Sequence, residues 1–398
     1  MIMGGGMKQV SDTRYFERYG LKRIVNAYET LTKYSGSILN PIVLEEMYLA
    51  STALVDMSEL QRALAAKIIA MTGHEGAFIC AGGAAGIVLS MGACMVKGYP
   101  YLSNELPRRV GINEKLFKKY EVLIHKSHRN PYDHAVLIPG AKLVEFGLSS
   151  FRTKSEQMER AFTENTAAVL YCAGKIFERY SLPLEITAEI AHKNGVPVIV
   201  DAAALLPPVE NLCKYTNKGA DLVIFSGGKG LRGPQDTGLI LGDKELIDCI
   251  EVLASPHQGF GRSMKTTKES LAGFFAAFKL FLETDWNEVY QQKYSFLQKF
   301  LEHMQDVPNI DTRIDPVGRH GQQYPRAIIT FKGKSLAYRD ALIATLEEDS
   351  NPIILVGPLD EEENSIAINA FSLNEDDMVD LVVGIKKAIE KLSKRSIL

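Results

Sequence analysis

One lysine stands in a glycine-rich stretch whose residue types suit two different chemistries. Lys229 lies in SGGKGLRGPQDTG, which spans residues 226–238. Glycines beside a lysine are typical of loops that bind nucleotide phosphates, but such a loop ends in Gly-Lys-Ser/Thr at the start of a helix. Here Gly230 follows the lysine and Pro234 comes soon after, so no helix can begin on the required hydroxyl residue. The sequence therefore favours a different task for Lys229.

An aspartate upstream indicates what that task is. Asp201 ends the apolar run VPVIVD, and Lys229 follows the apolar run DLVIFS. Open α/β sheets bind ligands at the carboxyl ends of their strands. Enzymes that use pyridoxal phosphate (PLP) need a lysine that forms an imine with the cofactor aldehyde, and an acid that keeps the pyridine nitrogen protonated. The pair predicts a PLP site; the alternative is that Asp201 caps a loop and Lys229 is a solvated turn residue.

A second glycine-rich segment offers a place for the cofactor phosphate. CAGGAAG, residues 80–86, joins a predicted strand to a helix that opens with small residues. Backbone N–H groups at a helix start bind phosphate, and small side chains allow close approach. Ser226 would donate a further hydrogen bond, and the glycines around Lys229 would let the cofactor approach the backbone. Taken by itself, CAGGAAG is equally explained by packing.

Apolar runs that alternate with helical patterns predict a largely parallel α/β sheet, which would position these residues. Strands are predicted at 76–83, 121–127, 141–147, 167–174, 196–204, 220–230 and 237–242. Helices are predicted at 84–98, 151–165 and 183–195, and the basic segment 108–121 is interpreted as a solvated helix face.

The pattern changes from about residue 264 onward. Helices are predicted at 268–283 and onward to about 305, strands at 325–333, 351–357 and 364–371, and a closing helix at 374–393. We therefore predict three parts. They are an N-terminal arm at 1–45, a large PLP-binding α/β domain at 46–265, and a small α+β domain at 266–398.

Composition narrows the class of protein. The chain has 398 residues and a net charge of −3, so nucleic-acid binding has no overall electrostatic support. No apolar run approaches the roughly 20 residues of a membrane span, and the N-terminus lacks a signal-peptide core. The five cysteines are scattered, without a CxxC pair, which indicates reduced thiols in the cytoplasm. No metal site is predicted.

Several stretches together resemble one family. VIVDAAA, followed by DLVIFSGGKGLRGPQDTGLILG, resembles the selenocysteine synthase-like (L-seryl-tRNA selenium transferase-like) branch of PLP enzymes, which have the aspartate aminotransferase-like fold. Within that branch, YGLKRIVNAYETLTKYSGS, HKSHRNPYDHAV and GFGRSMKTTKESLAGFFAA are most similar to the D-glucosaminate-6-phosphate ammonia-lyase group. About twenty residues precede the resemblance, whereas the selenium transferase carries an additional N-terminal domain for tRNA. This argues against a tRNA-bound substrate.

The resemblance gives the cofactor-binding residues their roles. Lys229 would hold PLP and later move the Cα proton, and Asp201 would pair with the pyridinium nitrogen. His128 or Arg129, just after a strand end, would cover the PLP ring or contact substrate. The cofactor phosphate would be held by Gly83, Ala84, Ala85 and Ser226.

The resemblance also suggests anion sites. Arg262 would bind a cofactor or substrate phosphate, including one in a neighbouring subunit. Arg326 stands where related folds often place a carboxylate-binding arginine, although an ordinary surface arginine explains it as well. Candidates for a substrate phosphate are Arg129, Arg232, Arg262 and Lys265, among which the sequence does not choose. Asp133 and His134 are interpreted as structural.

The implied reaction removes a β-hydroxyl group from a hydroxy amino acid such as D-glucosaminate 6-phosphate, and it yields a 2-keto-3-deoxy acid and ammonia. Three alternatives stay open, because PLP fixes the electron sink and not the outcome. They are an amino-acid racemase or epimerase, a sulfur or selenium transferase, and a PLP-fold protein that only binds. Active sites at subunit boundaries are usual in such enzymes, so a homodimer or larger homo-oligomer is predicted, with a small-molecule substrate and neither nucleic acid nor membrane as partner.

Overall fold

A computed structural model describes residues 13–96, 119–359 and 361–394. Within these ranges the strands are β1 (Ile24–Ala27), β2 (Gly76–Cys80), β3 (Glu121–His125), β4 (Lys142–Phe146), β5 (Thr166–Cys172), β6 (Val198–Asp201), β7 (Leu222–Ser226), β8 (Gly238–Gly242), β9 (Ile310–Asp315), β10 (Arg326–Phe331), β11 (Ile353–Pro358) and β12 (Ser365–Asn369). Parts of three predicted segments lie outside the described residues, namely 1–12, 97–98 and 108–118.

The helices in the same ranges are α1 (Thr13–Tyr19), α2 (Pro41–Ser51), α3 (Met57–Thr72), α4 (Gly83–Val96), α5 (Ser155–Glu159), α6 (Lys175–Glu178), α7 (Leu184–Lys193), α8 (Asn211–Lys214), α9 (Lys244–Leu253), α10 (Lys268–Glu283), α11 (Trp286–Glu302), α12 (Leu336–Glu348) and α13 (Asp377–Lys394). Short 3₁₀ helices at Lys126–His128 and Pro131–Leu137 follow β3. None of the described helices combines the length and the apolar character that a membrane crossing requires.

The larger of two compact units contains a seven-stranded sheet. This unit comprises Ser35–Thr284 and Arg319–Gln322. The strand order is β2-β8-β7-β6-β5-β3-β4. β8 runs antiparallel to both neighbours, and the other neighbouring pairs are parallel. The carboxyl ends of β6 and β7 therefore lie side by side at one end of the sheet.

The apolar runs in the sequence explain why this sheet is buried on both faces. All residues of β2, β3, β5 and β8 are buried. Continuous apolar runs are what a strand needs when helices cover both sides of its sheet. α4 is one of these covering helices, and every side chain from Ala85 to Val96 is buried. Its small residues allow this helix to lie close to the strands.

The smaller unit contains a second, mostly antiparallel sheet. Its described residues fall within 13–34, 285–318 and 323–394. The strand order is β1-β11-β12-β10-β9, with β1 parallel to β11 and the other pairs antiparallel. Apolar side chains of α11, α12 and α13 join the strands in one hydrophobic core. This agrees with the predicted α+β character of the C-terminal region.

The predicted arm contains a core strand. β1 lies within residues 1–45, and its Val25 and Ala27 are 1% and 0% exposed. Its residues pair in register with β11, from Ile24 opposite Ile353 to Ala27 opposite Val356. The sequence pattern missed this strand because four residues are too few to establish a period, and because its partner lies far along the chain.

The unit bounds also differ from the predicted domain bounds near residue 266. Helix α10 belongs to the larger unit, where Ala276 and Ala277 form a small core with Val43 of α2. The approach of the two helices is close, since a Cβ on Gly273 would lie 2.6 Å from Cγ of Met47. Residues 35–45 belong to the larger unit for the same reason.

β9 was not predicted from the sequence. Its residues, IDTRID, are exposed or only partly buried along the whole strand. It pairs with β10 alone, at the end of its sheet. An edge strand of this kind has no apolar run, so its sequence lacks the signal on which strand prediction depends.

Candidate active site

Asp201 lies at the carboxyl end of β6, where ligands bind in open α/β sheets. It stands in register with Cys172 of β5 and Ile224 of β7. Its Oδ1 accepts a hydrogen bond from the backbone N–H of Ala203 (3.0 Å). Burial raises the pKa of the Asp201 carboxyl, while the Ala203 N–H and the positive charge of Lys229 act in the opposite direction. Lys229 follows the carboxyl end of β7, the strand next to β6, so both predicted residues lie at the same end of the sheet.

Lys229 is held in a tight turn directly after β7. The Gly227 N–H donates to the Thr237 carbonyl (2.8 Å), and the Gly233 N–H donates to the Gly227 carbonyl (2.8 Å). The Arg232 N–H donates to the Lys229 carbonyl (3.0 Å) and so closes the turn. The lysine side chain is half-buried. A turn so densely bonded presents the amine from a fixed backbone.

The glycines around Lys229 meet a packing requirement of the chain itself. A Cβ on Gly228 would lie 2.6 Å from Cα of Gln235. A Cβ on Gly230 would lie 2.1 Å from the backbone oxygen of Leu206. Both distances are too short for any side chain, so only glycine allows these backbones to approach. The sequence interpretation, in which these glycines make room for a cofactor, did not foresee this contact.

Arg232 adopts an unusual backbone conformation within the same turn. Its φ is +54°, in the left-handed region that residues other than glycine rarely occupy. Such a conformation costs on the order of 1 kcal/mol and persists only where the surroundings hold it. Burial lowers the pKa of the Arg232 guanidinium. The structure thus places this predicted anion-binding residue in the Lys229 turn, with its side chain largely out of solvent.

The predicted phosphate segment meets the ends of the same strands. Helix α4 begins at Gly83. A Cβ on Gly83 would lie 3.3 Å from Cβ of Ala203 and 3.8 Å from Cβ of Ser226. The first N–H groups of a helix have no partner within it, so those of Gly83, Ala84 and Ala85 can bind an anion.

The residues at this end of the sheet fit PLP. They supply a lysine on a rigid turn, a carboxyl group beside it, and a helix start that approaches Ser226 within van der Waals distance. Ala84 at the helix start is exposed, and Gly83 beside it is partly buried. Within the larger unit, the structure therefore brings together Asp201, Lys229, Ser226 and Gly83.

His128 lies in the interior, away from solvent. It is 1% exposed, and its Nδ1 accepts a hydrogen bond from the Cys172 N–H (3.2 Å). Its ring meets the ring of Tyr171 edge to face at 4.7 Å. Burial, with a smaller effect of His125, lowers the pKa of His128 to about 3. The structure thus shows a packed neutral histidine at the position that the resemblance assigns to the face of the PLP ring.

Tyr132 is a residue at the site that the sequence reasoning did not single out. Its ring centroid lies 5.8 Å from Nζ of Lys229, within the range of a cation–π contact. Asn130 anchors it, because Oδ1 of Asn130 accepts from the Tyr132 N–H (2.8 Å) and Nδ2 donates to the His128 carbonyl (2.8 Å). The available signal was an aromatic residue after Asn-Pro, just past a strand end.

The other predicted anion-binding residues have separate positions. Arg129 is bonded to both Asp133 and Glu145, so its guanidinium is neutralised by two carboxylates. Arg262 and Lys265 are exposed, and within the described ranges neither side chain forms an ion pair. Phe260 anchors their segment, because its ring packs directly against Gly92 of α4. A Cβ on Gly92 would lie only 2.1 Å from Cζ of that ring.

Arg326 lies in the smaller unit, at the start of β10. Its Nε donates to the Val317 carbonyl (3.1 Å), and one Nη lies 3.4 Å from Oδ2 of Asp315. The side chain is only 12% exposed. Within its unit, this arginine joins neighbouring segments of the chain and is not a surface residue.

Comparisons with known proteins agree with this geometry. A family model described as SelA: L-seryl-tRNA selenium transferase matches residues 133–307. The chain is 30% identical over 267 residues to D-glucosaminate-6-phosphate ammonia lyase of Salmonella typhimurium (strain 14028s / SGSC 2262), covering 66% of this chain and 68% of the relative. It is 28% identical over 310 residues to 5'-C-glycyluridine monooxygenase-decarboxylase of a Streptomyces species, covering 76% and 74%.

Solved structures show the same fold. A structure of D-glucosaminate-6-phosphate ammonia-lyase superposes with a TM-score of 0.79 at 24% identity, over 95% of this chain and 99% of that one. A Thermus thermophilus aspartate aminotransferase double mutant superposes with a TM-score of 0.53 at 14% identity, over 96% and 97%. The predicted aspartate aminotransferase-like fold, with a large mostly parallel sheet and a smaller α+β part, is thereby confirmed.

Proposed function

The chain belongs to the family of PLP-dependent enzymes that includes D-glucosaminate-6-phosphate ammonia lyase and L-seryl-tRNA selenium transferase, and on that basis we propose that it removes ammonia from a hydroxy amino acid. This membership confirms the predicted family, the PLP cofactor and the enzyme class, a PLP-dependent lyase. The proposed substrate is a compound such as D-glucosaminate 6-phosphate, and the products are a 2-keto-3-deoxy acid and ammonia.

The observation that carries the proposal is the meeting of three features at one end of the larger sheet. Asp201 ends β6, and Lys229 follows the end of the neighbouring strand β7. The start of α4 lies against Ala203 and Ser226, which follow or end the same two strands. An amine, a carboxylate and an anion-binding helix start are what PLP needs for its aldehyde, its ring nitrogen and its phosphate.

The chain's own residues would carry out the proton transfers. When bound, PLP supplies an electron sink for negative charge at the substrate Cα. Nζ of Lys229 would take the Cα proton, since a lysine at the site is a positioned base. The Asp201 carboxylate would hold the proton on the ring nitrogen, because a negative charge favours the protonated form. Ser226 and the N–H groups at 83–85 would bind the phosphate.

A phosphorylated substrate needs a second anion site, and two sets of cations support one. Arg232 lies in the Lys229 turn with its guanidinium largely buried. Arg262 and Lys265 lie exposed on the segment that Phe260 anchors. We propose that Arg232 serves the buried part of the site, and that Arg262 and Lys265 bind the solvent-facing phosphate, in the same or a neighbouring subunit.

We also propose a homodimer or larger homo-oligomer in the cytoplasm. The assembly is supported by seven exposed apolar side chains close together in sequence, here called the 38–55 surface: Ile38, Ile42, Leu44, Tyr48, Leu49, Leu54 and Val55. Large exposed apolar patches commonly mark protein interfaces. The cytoplasm is supported by five cysteines that are all thiols.

The test is product formation by the purified protein with PLP. Ammonia and 2-keto acid should appear in equal amounts from D-glucosaminate 6-phosphate, and more slowly from D-glucosaminate. Lys229→Ala should lower the rate by about a hundredfold to ten-thousandfold, since it removes the base. Lys193→Ala is the matched control, because Lys193 pairs with Glu189 on an exposed helix face.

Other outcomes separate the alternatives. A racemase or epimerase would invert the substrate without releasing ammonia, and a sulfur or selenium transferase would require a thiol or selenide and incorporate it. Absence of ammonia from every hydroxy amino acid tested would contradict the proposal.

A further inference from the structure

Four residues from the C-terminal part of the sequence belong to the larger unit. Arg319–Gln322 are flanked in sequence by residues of the smaller unit. The His320 carbonyl accepts from the Lys175 N–H (3.2 Å), and the His320 ring stacks on the Phe177 ring at 6.1 Å. Gly174 allows this contact, because a Cβ there would lie 3.3 Å from the His320 oxygen. We call Arg319–Gln322 the crossing segment.

Gln322 fixes this segment next to Asp201. It is 2% exposed. Its Nε2 donates to the Ala204 carbonyl (2.8 Å), and its Oε1 accepts from the His320 N–H (3.0 Å). A carbonyl acceptor at one end and an N–H donor at the other permit only one orientation of the amide. The side chain is therefore locked by both contacts.

Ala204, whose carbonyl Gln322 binds, lies in the turn that orients the Asp201 carboxylate. The Ala203 N–H donates to Oδ1 of Asp201 (3.0 Å), and the Leu205 N–H donates to the Ala202 carbonyl (3.0 Å). The Ala203 carbonyl accepts from the Ser226 N–H (3.3 Å). Ala203 also faces Gly83 at the start of α4. A shift of this turn would move both the carboxylate and the wall of the phosphate site.

We propose that Gln322 is a positioning residue for PLP, which acts through the Ala204 carbonyl to hold the Asp201 turn in place. The inference rests on the role of Asp201 in the proposed function. It means that the geometry at the ring nitrogen depends on a buried amide 121 positions along the chain from the aspartate. Gln322 would not contact the cofactor itself. It would restrict the conformations open to Asp201, which would.

The test measures PLP binding and its spectrum in the full-length protein. Gln322→Met keeps the side-chain length and removes both hydrogen bonds, so we expect the Kd of PLP to rise about tenfold. The pH at which the visible absorbance of the holoenzyme changes should also move, because that pH reports the charge environment of the ring. Gln323→Ala is the matched control, since its Nε2 donates to Asn287 in the smaller unit (3.1 Å), and it should change neither quantity.

A double-mutant cycle with Asp201→Asn distinguishes positioning from general support of the fold. If Gln322 acts through Asp201, then Gln322→Met adds little to the Kd in the Asp201→Asn background. Fully additive effects on Kd, or an unchanged Kd and spectrum in Gln322→Met, would overturn the inference. If Gln322→Met does not fold, Gln322→Asn keeps a neutral amide but shortens the side chain by one methylene group, so that it no longer spans both partners, and the same two outcomes apply.

The cycle also separates this inference from the function on which it rests. Asp201→Asn without effect on PLP binding or spectrum would refute the role of Asp201, and the inference with it. An effect of Asp201→Asn without one of Gln322→Met would refute only the inference.

Discussion

Tyr132 illustrates how much the chemistry at Lys229 depends on single contacts. Its ring centroid lies 5.8 Å from the lysine amine, and the residue is 55% exposed. A cation–π contact in such a position stabilises the ammonium form of a lysine by about 0.5–1 kcal/mol. If Lys229 holds PLP as proposed, its amine would have to be neutral to react with the cofactor aldehyde. The ring therefore affects how readily the cofactor attaches.

Replacing the Tyr132 ring should make attachment of PLP possible at lower pH. In Tyr132→Leu, the pH at which the apoprotein attaches PLP at half its maximal rate should fall by about 0.4–0.7 unit, because 1 kcal/mol corresponds to about 0.7 pH unit. Stopped-flow absorbance between pH 6 and 10 measures this. Tyr132→Phe keeps the ring and should behave as the unmodified protein. An equal shift in both variants would show that the hydroxyl group, and not the ring, is responsible.

The glycines at 228 and 230 are also explained at the scale of single residues. Each allows one backbone to pass another at a distance that no side chain permits. The turn can therefore hold Lys229 rigidly before any cofactor arrives. Rigidity of the backbone that carries a reactive group reduces the ordering that binding must otherwise bring about.

At the scale of elements, the end of β3 and the loop after it contain two buried histidines. His125 is 2% exposed and hydrogen bonds with Ser127 and Thr153. Its ring lies 5.3 Å from that of His128. Burial lowers the pKa of His125 to about 4, and burial with the effect of His125 lowers the pKa of His128 to about 3. Both rings are therefore neutral in the folded protein near pH 7.

These histidines should make the larger unit sensitive to mild acid. The unfolded chain takes up their protons near pH 6.5, and the folded chain only near pH 4 and 3. Their contribution is therefore fully present above about pH 6.5 and is lost as the pH falls toward those lower values. His128→Phe should reduce the slope of the unfolding free energy between pH 5 and 6 by about 1 kcal/mol per pH unit.

Urea unfolding at several pH values measures that slope. His134→Gln is the control, because His134 lies on the same loop and is exposed. A slope that His128→Phe leaves unchanged would show that His128 does not take up a proton on unfolding in this range.

A lysine joins two helices that the sequence assigned to different domains. Nζ of Lys268, at the start of α10, donates to the carbonyl groups of Ala50 (2.7 Å), Ser51 (3.0 Å) and Ala53 (2.6 Å) at the end of α2. The last carbonyl groups of a helix have no partner within it, and a cation there is also attracted to the negative end of the helix dipole. This contact is one reason why α10 belongs to the larger unit.

Removing this lysine should destabilise the larger unit. Lys268→Met keeps the aliphatic chain and removes the three hydrogen bonds, so the free energy of unfolding should fall by about 1–2 kcal/mol. Lys279→Met changes an exposed lysine on the same helix and should have an effect within about 0.5 kcal/mol. Chemical denaturation measures both. Equal effects of the two variants would mean that the contacts with α2 contribute nothing measurable.

At the scale of the whole molecule, the 38–55 surface should control assembly. Leu54 is 100% exposed and Tyr48 is 62% exposed. If this surface is an interface, the protein should sediment as a dimer or larger species at micromolar concentration, and Tyr48→Lys with Leu54→Lys should shift it toward monomer. Phe151→Lys, at a residue 72% exposed outside that surface, should not. A protein that is active and strictly monomeric would contradict the proposed assembly.

The sequence by itself determined the α/β architecture, and it singled out Asp201 and Lys229 as candidates at the ends of two strands. The architecture is confirmed, and the roles of the two residues stay predictions. Both depend on local signals: an apolar run specifies a buried strand, and a polar residue at its end lies at the carboxyl edge of the sheet. The glycine-rich start of α4 was recognised for the same reason. Its contact with Ser226 could only be inferred, since the two segments lie more than a hundred residues apart.

The tertiary structure alone decided which neighbours each remaining residue has. Gln322 bonds the carbonyl of a residue 118 positions away, and no local pattern indicates such a partner. His128 and Arg129 follow a strand end, as the sequence indicated. Yet one is packed against Tyr171 and the other is bound by two carboxylates. Residue type and spacing were enough to identify the candidates. Their burial and charge pairing depend on segments distant in sequence, so only the tertiary structure could show them.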